Sequence, residues 1–298
     1  MDFPEQAQLG FPQLTKTWED ASREWLARSA SKAPETRRSD LRCVRWISAR
    51  WIDKPIADVT AADVEDLVQL RLAEGVSPRT ANRIVEVVRA VLRASAARGW
   101  LFRVPQLRTL PPRPRRVRWL TYGQARRLLD QLPPHLADLA GFALETGLRR
   151  SNCTQLRWDQ VDLEEGLAWI HADQAKGRRG IAVPLSPTAV AILERRRTAD
   201  TFSSWCFTYQ GRPVRQTSTR AWYHALQRAG IEDFRWHDLR HTWASWHAQA
   251  GTPLHVLQEL GGWRSPQMVQ VYAHLSTAHL RAHVNRAHSW VRKKRRRR

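Results

Sequence analysis

Apolar residues recur every three to four positions through the first third of the chain, which is the spacing of one helix face. Capping signals divide this region into separate helices. Thr60 is followed three residues later by Asp63, as in a capping box, and Ser77 is followed by Pro78, as at the first turn of a helix. The pattern predicts a compact domain of about four helices over residues 12–102.

Helical spacing returns from Thr121 onwards, with one β interruption. An apolar helix is predicted to end at Gly147, because glycine commonly closes a helix. Two short alternating stretches, 168–172 and 181–185, flank a polar segment and predict a β-hairpin with a basic tip. Further helices are predicted to begin near Ser186, residues 216–218, His237, Thr252 and Ser265. The predicted fold class is therefore mainly α, with a small antiparallel β-sheet.

Proline and arginine dominate residues 103–118, which contain no acidic residue. Proline blocks helix and sheet, and arginine keeps a segment solvated, so we predict a linker here. Two interpretations are open: the linker follows a DNA phosphate backbone, or it is merely a solvated connector. The second domain is predicted over residues 119–287. Residues 288–298 form a basic tail, in which residues 292–298 are all Lys or Arg.

The charge balance favours a polyanionic partner. Lys and Arg number 49 against 28 Asp and Glu, a formal net charge of +21. Each neutralised phosphate releases condensed counterions, so we expect the partner to be nucleic acid. An arginine-rich composition is also typical of proteins from GC-rich genomes.

The cysteines and the apolar runs bear on where the protein works. The three cysteines stand far apart, as expected of reduced thiols. No apolar run approaches the ~20 residues that cross a bilayer, and no secretory signal is visible at the start. We therefore expect a cytoplasmic, nucleoid-associated protein with no membrane partner.

Four basic residues in three places are candidates for chemistry on a phosphate. Arg149 follows the glycine that ends an apolar helix, so its side chain can point into a site. Lys176 lies at the tip of the predicted hairpin. His237 and Arg240 stand three residues apart on a predicted helix and therefore share a face. An arginine binds two oxygens in a fork and a histidine moves a proton. Taken alone, however, Arg149 and Lys176 are more typical of a solvated surface, and an HxxR pair often occurs by chance.

Trp263 and Tyr272 complete the candidates. They are nine residues apart, and Tyr272 is predicted to lie about two turns into a helix that begins at Ser265. Taken alone, Tyr272 is more typical of a core or an interface. Most of the 15 tryptophans are likewise expected in cores or half-buried surfaces, and only Trp263 is treated as functional.

Five motifs occur in a fixed order along the chain: TGLRRSN, AKG, HDLRHT, LGGW and YAHLS. Their order and spacing resemble the tyrosine recombinase (phage integrase) family, and the stretch VSPRTANR resembles its helical core-binding domain. The resemblance covers roughly residues 12–285. It implies a SAM-like N-terminal core-binding domain and an α-rich catalytic domain with a small antiparallel sheet, the fold of DNA breaking-rejoining enzymes.

The resemblance also implies a catalytic role for Tyr272 and for each of the basic candidates. Tyr272 is the nucleophile, and Arg149 and Arg240 hold the non-bridging oxygens of the scissile phosphate. Lys176 protonates the leaving 5′ oxygen, and His237 assists proton transfer to or from the tyrosine. These residue types suit the chemistry, because attack on a phosphodiester builds negative charge that fixed guanidinium groups neutralise.

Two positions depart from the family pattern. Asn152 stands where members commonly carry an acid, so we expect altered support of the first arginine rather than a dead enzyme. Trp263 stands where many members carry histidine, and it donates a hydrogen bond or packs there. Proton transfer then falls on His237 and Lys176. The resemblance implies no metal and no other cofactor.

We expect a metal- and ATP-independent, site-specific recombinase of a phage or other mobile element. Its expected partners are double-stranded DNA at core attachment sites, gripped as a clamp, and three further copies in a tetramer. Accessory directionality or DNA-bending factors are further candidates. Too little chain precedes residue 12 for a separate arm-type domain, so recognition of core sites alone is expected.

Other interpretations stay open. Within the family they are a chromosome-dimer resolvase or a transposon-encoded recombinase. Outside it they are a catalytically silent DNA-binding protein and a type IB topoisomerase.

Overall fold

The computed structural model describes residues 16–111, 117–174, 179–200 and 202–275. These residues form two compact units, one within Met1–Arg115 and one within Arg116–Arg298. Each unit has its own hydrophobic core. None of the described helices is long and apolar enough to cross a membrane.

Within residues 16–111, the first unit contains four α-helices and two short 3₁₀ helices. The helices are α1 (Trp18–Ala27), α2 (Pro34–Ser48), α3 (Ala61–Ala73) and α4 (Pro78–Ala96). The predicted caps are confirmed: Thr60 and Asp63 form a capping box, and the Ser77 hydroxyl accepts a hydrogen bond from the backbone of Thr80. The helices of this unit therefore begin where short-range signals place them.

Helix α4 supplies the apolar face around which the first unit packs. Ile84, Val87, Val88 and Val91 are all buried, as the helical spacing predicts. The same core contains a fully buried carboxylate, Asp40 of α2. The two oxygens of this carboxylate pair with the basic side chains of Lys32 and Arg83.

The first part of the Pro/Arg segment packs on the first unit. Leu107 and Leu110 contact its core. The Asn82 amide makes two hydrogen bonds with the backbone of Leu110, of 2.9 and 2.8 Å, and Arg89 donates to the Leu107 carbonyl. Residues 103–111 are therefore anchored rather than fully solvated, because two apolar side chains in this stretch find a core. The rest of the predicted linker, 112–116, lies outside the described residues.

The second unit contains seven α-helices and five short strands within the described ranges. The helices are α5 (Tyr122–Gln131), α6 (Pro134–Thr146), α7 (Arg150–Thr154), α8 (Pro187–Ala199), α9 (Arg220–Arg228), α10 (Asp238–Gln249) and α11 (Leu254–Gly261). The strands are β1 (Val161–Asp162), β2 (Leu167–Ile170), β3 (Ile181–Pro184), β4 (Thr208–Tyr209) and β5 (Arg212–Pro213). The mainly helical fold with small antiparallel sheets confirms the predicted fold class.

The predicted hairpin is confirmed as β2 and β3, which pair antiparallel with Ala168 opposite Val183. Strand β1 pairs with the free edge of β2, so the sheet has three strands in the order β1-β2-β3. Strands β4 and β5 form a separate hairpin that the sequence did not predict. Strands of two residues carry too little alternation to be recognised. Part of the hairpin tip, 175–178, lies outside the described residues.

Helix α6 runs through the core of the second unit and ends at Gly147, as predicted. Gly147 adopts φ 60°, in the left-handed region that favours glycine. A separate apolar cluster gathers around α10 and α11. Its buried members are Trp243, Ala244, Ala248, Leu257, Trp263, Val269 and Tyr272.

The prediction of one continuous helix from Ser265 is wrong. Two short 3₁₀ helices stand there, Pro266–Met268 and Gln270–Leu275, and the Ser265 side chain makes no capping bond. A 3₁₀ helix has three residues per turn, so Val269 and Tyr272 fall on one side. Both are 1% exposed, and burying this pair favours the tighter helix. Residues 276–298, which follow this segment, lie outside the described residues.

Candidate active site

Helix α10 presents three polar side chains of the candidate site near its start. His237 is the capping residue and is exposed, whereas Arg240 and His241 are buried. The ring of His237 meets the ring of His241 edge-on, with centroids 5.2 Å apart. Leu239 is buried on the core side, as predicted. Arg240 itself points inwards, which the shared face with His237 did not predict.

Backbone carbonyls at the ends of two helices hold the guanidinium of Arg240. Its Nη1 donates to the Gly147 carbonyl at 2.5 Å, and its Nη2 donates to the Gly261 carbonyl at 2.6 Å. These carbonyls lie at the C-terminal ends of α6 and α11, where the helix dipole is negative. The ring of Trp263 lies 4.1 Å from the guanidinium carbon, a cation–π distance. Three groups, from the end of α6 and from residues 261–263, therefore fix one cation.

The electrostatics around Arg240 leave positive charge in the site. The pKa of Arg240 is lowered to about 9, first by burial and then by the positive charge of Arg149, while Tyr272 and Cys153 partly oppose the shift. Burial also lowers the pKa of Arg149. In the described ranges neither arginine forms an ion pair with a carboxylate. Two close cations without such a counterion suit an incoming anion.

Arg149 follows directly from the end of α6. After the left-handed Gly147 the chain turns, and Arg149 becomes the capping residue of the short helix α7. Its side chain is half-buried. The glycine stop thus directs Arg149 towards Arg240, as their charge interaction indicates. This arrangement brings together two candidates that are 91 positions apart in the sequence.

Glycines next to the site admit two tryptophan rings. A Cβ at Gly261 would lie 2.0 Å from the Trp263 ring, and a Cβ at Gly147 would lie 2.1 Å from the Trp243 ring. The two tryptophan rings stack with centroids 6.0 Å apart. Only glycine leaves room for this approach, so the site requires both the carbonyls and the missing side chains of these residues.

Tyr272 lies inside the same cluster. It is 1% exposed, and its ring is 6.0 Å from that of Trp263. Its hydroxyl lies 2.5 Å from Nδ1 of His241, which is 7% exposed. His241 was not among the predicted candidates. The available signal was its place four residues after His237 in the motif HDLRHT, one helical turn along the same face.

Lys176 lies outside the described residues, so its position relative to this cluster is not described. The base of its hairpin is anchored beside the site. Ile181 of β3 approaches Gly262, where a Cβ would lie 2.4 Å from the Ile181 side chain. Gln160 donates to the backbone carbonyl of Trp169 in β2 and to the side chain of Gln174, which follows β2 in the chain.

Asn152 is buried on α7, with 4% of its surface exposed. Among the described residues, neither its amide oxygen nor its amide nitrogen finds a hydrogen-bond partner. Buried amides are usually paired, because an unpaired one costs free energy. The predicted departure from an acid at this position therefore coincides with an unsatisfied side chain.

A groove with a volume of about 840 Å³ opens beside the cluster. Its lining includes Arg149, Arg179, Arg264, Trp263 and one acidic residue, Glu259. The predominance of arginine suits a phosphate-bearing ligand. Among the described residues there is no group of three or more His, Cys, Asp or Glu that could hold a metal ion.

Comparison with known proteins identifies relatives of the second unit in particular. A model of the phage integrase family matches residues 118–279. The integrase of Salmonella phage P22 is 43% identical over 217 residues, which cover 68% of this chain and 55% of that protein. The chain therefore spans little more than half the length of that relative.

Solved structures share the fold at low sequence identity. The Tn1549 transposon integrase, in complex with a circular intermediate DNA, matches with a TM-score of 0.77 at 18% identity, over 91% of this chain and 99% of that one. A lambda integrase tetramer bound to a Holliday junction matches with a TM-score of 0.73 at 18% identity, over 87% of this chain and 78% of that one. Since the family model covers more than half of its residues, this chain belongs to the phage integrase family.

Proposed function

We propose that this chain is a site-specific tyrosine recombinase, which cleaves and rejoins double-stranded DNA through a 3′-phosphotyrosine bond to Tyr272. Its task is to integrate or excise a phage or other mobile element. One observation carries the proposal: Tyr272, Trp263 and the carbonyl-bound guanidinium of Arg240 lie in one cluster. Membership of the phage integrase family supports the same activity.

The two arginines bind the scissile phosphate. Arg240 uses two N–H groups to hold carbonyls, and a guanidinium has five, so donors remain for the non-bridging oxygens. Arg149 supplies a second cation at the same groove. As the phosphorus becomes five-coordinate, these preorganised charges neutralise the growing negative charge, and most of the rate enhancement is expected from this effect.

Proton transfer completes the reaction. Lys176 donates a proton to the leaving 5′ oxygen, and His237 assists proton movement near the tyrosine. Trp263 supports Arg240 through its ring and takes no proton, because an indole N–H is a donor only. The phosphotyrosine retains the bond energy of the phosphodiester, so a new 5′ hydroxyl can rejoin the strand without ATP.

The proposed partners are DNA and other copies of the chain. A lambda integrase of the same fold forms a tetramer on a Holliday junction, and we extend this assembly to the present chain. Four protomers on two core sites would carry out the paired cleavages. The net charge of +21 favours association with DNA and hence with the nucleoid. Directionality or DNA-bending factors are proposed as accessory partners.

A nicked suicide substrate tests the activity. The DNA that flanks the gene supplies the attachment site, and the nick lets a short product diffuse away so that the covalent complex accumulates. The protein is incubated with this DNA in EDTA without ATP, and adducts are separated in SDS. We expect a covalent adduct with wild type and none with Tyr272→Phe.

The control is Tyr209→Phe, since Tyr209 is 52% exposed and lies outside the site. This variant should form the adduct at the wild-type rate. No adduct from wild type would leave a silent DNA-binding protein as the better interpretation. An adduct that persists in Tyr272→Phe would overturn the nucleophile assignment. Relaxation of supercoiled plasmids without any recombinant product would favour a type IB topoisomerase.

A further inference from the structure

We propose that His241 is the immediate acceptor of the phenolic proton when Tyr272 attacks DNA. This inference rests on the proposed function, because it assumes that Tyr272 is the nucleophile. It assigns the proton-accepting step to a residue outside the set of catalytic residues that the family motifs suggest. It also separates that step from His237, the histidine singled out from the sequence.

The contact between the two side chains carries the inference. Nδ1 of His241 lies 2.5 Å from the Tyr272 hydroxyl oxygen, within reach for direct proton transfer. His241 is 7% exposed and Tyr272 is 1% exposed, so bulk water has little access to this pair. The imidazole is fixed on α10, and the phenol is fixed on the 3₁₀ helix Gln270–Leu275. Two elements of one unit therefore hold donor and acceptor together.

The position of His237 supports the distinction. His237 is exposed at the start of α10, and its ring contacts the edge of the His241 ring. The ring of His241 in turn lies 5.9 Å from that of Tyr272. His241 is thus beside both residues. An exposed histidine next to the acceptor is suited to pass the proton onwards to solvent.

The atoms of the step balance as follows. The neutral phenol donates its O–H to Nδ1 of an imidazole that carries its own proton on Nε2. As the oxygen–phosphorus bond forms, the O–H bond breaks and the proton moves to Nδ1, which leaves His241 as imidazolium. The bond from phosphorus to the 5′ oxygen breaks, and that oxygen takes its proton from the general acid. Rejoining reverses the transfer, and His241 returns the proton to Tyr272.

The pKa values of the two free side chains show why an acceptor matters. A phenol has a pKa of about 10 and an imidazole one of about 6.5. In water near neutral pH a free phenol is therefore protonated, and a free imidazole can accept a proton from it. General base catalysis by a positioned side chain contributes about 100- to 10,000-fold. The cationic surroundings lower the cost of a phenolate but do not remove the proton.

His241→Asn tests the inference on the nicked substrate. Asparagine places an amide oxygen near the former Nδ1 position, so it can still accept a hydrogen bond from the tyrosine, but it cannot take the proton. We expect the single-turnover rate of adduct formation to fall about 100-fold. DNA affinity and the thermal midpoint should stay close to those of wild type. If this variant does not fold, His241→Gln repeats the test with a longer amide.

Two controls separate the outcomes. His224→Asn changes an exposed histidine on α9 and should react at the wild-type rate. Tyr272→Phe reports on the proposed function itself. If wild type forms an adduct, Tyr272→Phe does not, and His241→Asn reacts as fast as wild type or faster, the function stands and the inference fails. A faster variant would mean that His241 restrains the tyrosine instead.

A more acidic nucleophile supplies a second measurement. The chain has only four tyrosines, and Tyr122, Tyr209 and Tyr223 are 66%, 52% and 58% exposed. Replacing all four by a ring-fluorinated tyrosine lowers the pKa of the nucleophile with little effect on the core. The fluorinated His241→Asn protein should recover part of the lost rate. The absence of any recovery would indicate that the substitution acts through structure, which contradicts the proposal.

Discussion

At the scale of single residues, the site depends on backbone atoms as much as on side chains. Arg240 is held by the carbonyls of Gly147 and Gly261, and the motifs indicated the arginine but not these partners. The sequence likewise indicated Tyr272 but missed His241. The contact between them joins α10 to a 3₁₀ helix 31 positions later, and such tertiary contacts leave no periodic signal.

Gly261→Ala should disturb this arrangement. The new methyl group would meet the Trp263 ring at 2.0 Å and displace either the ring or the carbonyl that holds Arg240. We expect the free energy of unfolding to fall by about 1–3 kcal/mol and adduct formation to slow by at least tenfold. Urea unfolding and the suicide-substrate assay measure the two effects.

Gly123→Ala is the matched control, because a Cβ at Gly123 would meet only a side-chain nitrogen of Arg127, at 3.9 Å. Alanine is the better helix former, so this variant should be slightly more stable and fully active. A Gly261→Ala protein that matches it in both measurements would contradict the packing argument.

The three buried cysteines should make stability depend on alkaline pH. Burial raises the pKa of Cys43 to about 11 and that of Cys153 to about 12, and it also raises the pKa of Cys206. A free thiol has a pKa of about 8.5, so above that pH the unfolded chain releases protons that the folded chain keeps. The free energy of unfolding should therefore fall as the pH rises from about 8.5 to 11.

Cys153→Ala isolates one of these contributions. Its urea midpoint should decline less steeply with pH than that of wild type, although the lost side chain lowers its stability at neutral pH. Thiol reagents at pH 8 should label the folded protein only as fast as it unfolds. Rapid labelling of the native protein would show that the thiols are accessible.

At the scale of elements, the sequence predicted the features that depend on neighbouring residues. It did not predict those that depend on packing between distant residues. The caps at Thr60, Ser77 and Thr121 lie within three residues of their partners, so the sequence alone identifies these helix starts. The helix predicted from Ser265 had a proline and a serine in the right order. The segment forms two short 3₁₀ helices instead, which bury Val269 and Tyr272 together. Tertiary packing thus overrode a local signal at the candidate site.

Asp40 provides a test of how α2 and α4 are joined. It is fully buried and pairs with Lys32 and Arg83. Asp40→Asn removes the negative charge and leaves two cations around a neutral amide. We expect the first unit to lose about 3–5 kcal/mol of unfolding free energy, as when one partner of a buried ion pair is removed. The urea transition of the full chain reports this loss.

Glu35→Gln on the same helix is the control. Glu35 pairs with Arg38 and Arg42, but its side chain is 71% exposed. Exposed ion pairs contribute about 0–1 kcal/mol, so the midpoint should hardly move. Equal losses of unfolding free energy in the two variants would show that the buried ion pairs of Asp40 stabilise the unit no more than exposed ones do.

At the scale of the whole molecule, composition favours nucleic acid as the proposed partner, and the order of the motifs predicted the family, which the family model confirms. Neither predicts the DNA sequence that is bound. The excess of basic residues acts on phosphates, which are the same in every sequence. The domain boundaries and the role of Lys176 also stay predictions, the latter because residues 175–178 lie outside the described ranges.

Removal of residues 292–298 should weaken binding to all DNA alike. These seven residues are all basic, and each phosphate contact that they make contributes about 0.9 to the slope of log affinity against log salt concentration. The truncated protein should bind both its core site and unrelated DNA less tightly, with a shallower salt dependence. Titrations at several salt concentrations measure this. A selective loss of affinity for the core site would contradict a purely electrostatic tail.

The two backbone carbonyls that hold Arg240 affect how the sequence of such a protein can diverge. A carboxylate partner is lost by one substitution, whereas a peptide carbonyl is lost only when the backbone moves, as a substitution at Gly147 or Gly261 itself would cause. The helices that end at Gly147 and Gly261 can therefore exchange most of their outward-facing side chains without releasing the guanidinium. Under the proposed function, side chains on these surfaces can be changed in search of new DNA specificities while the guanidinium of Arg240 keeps its place.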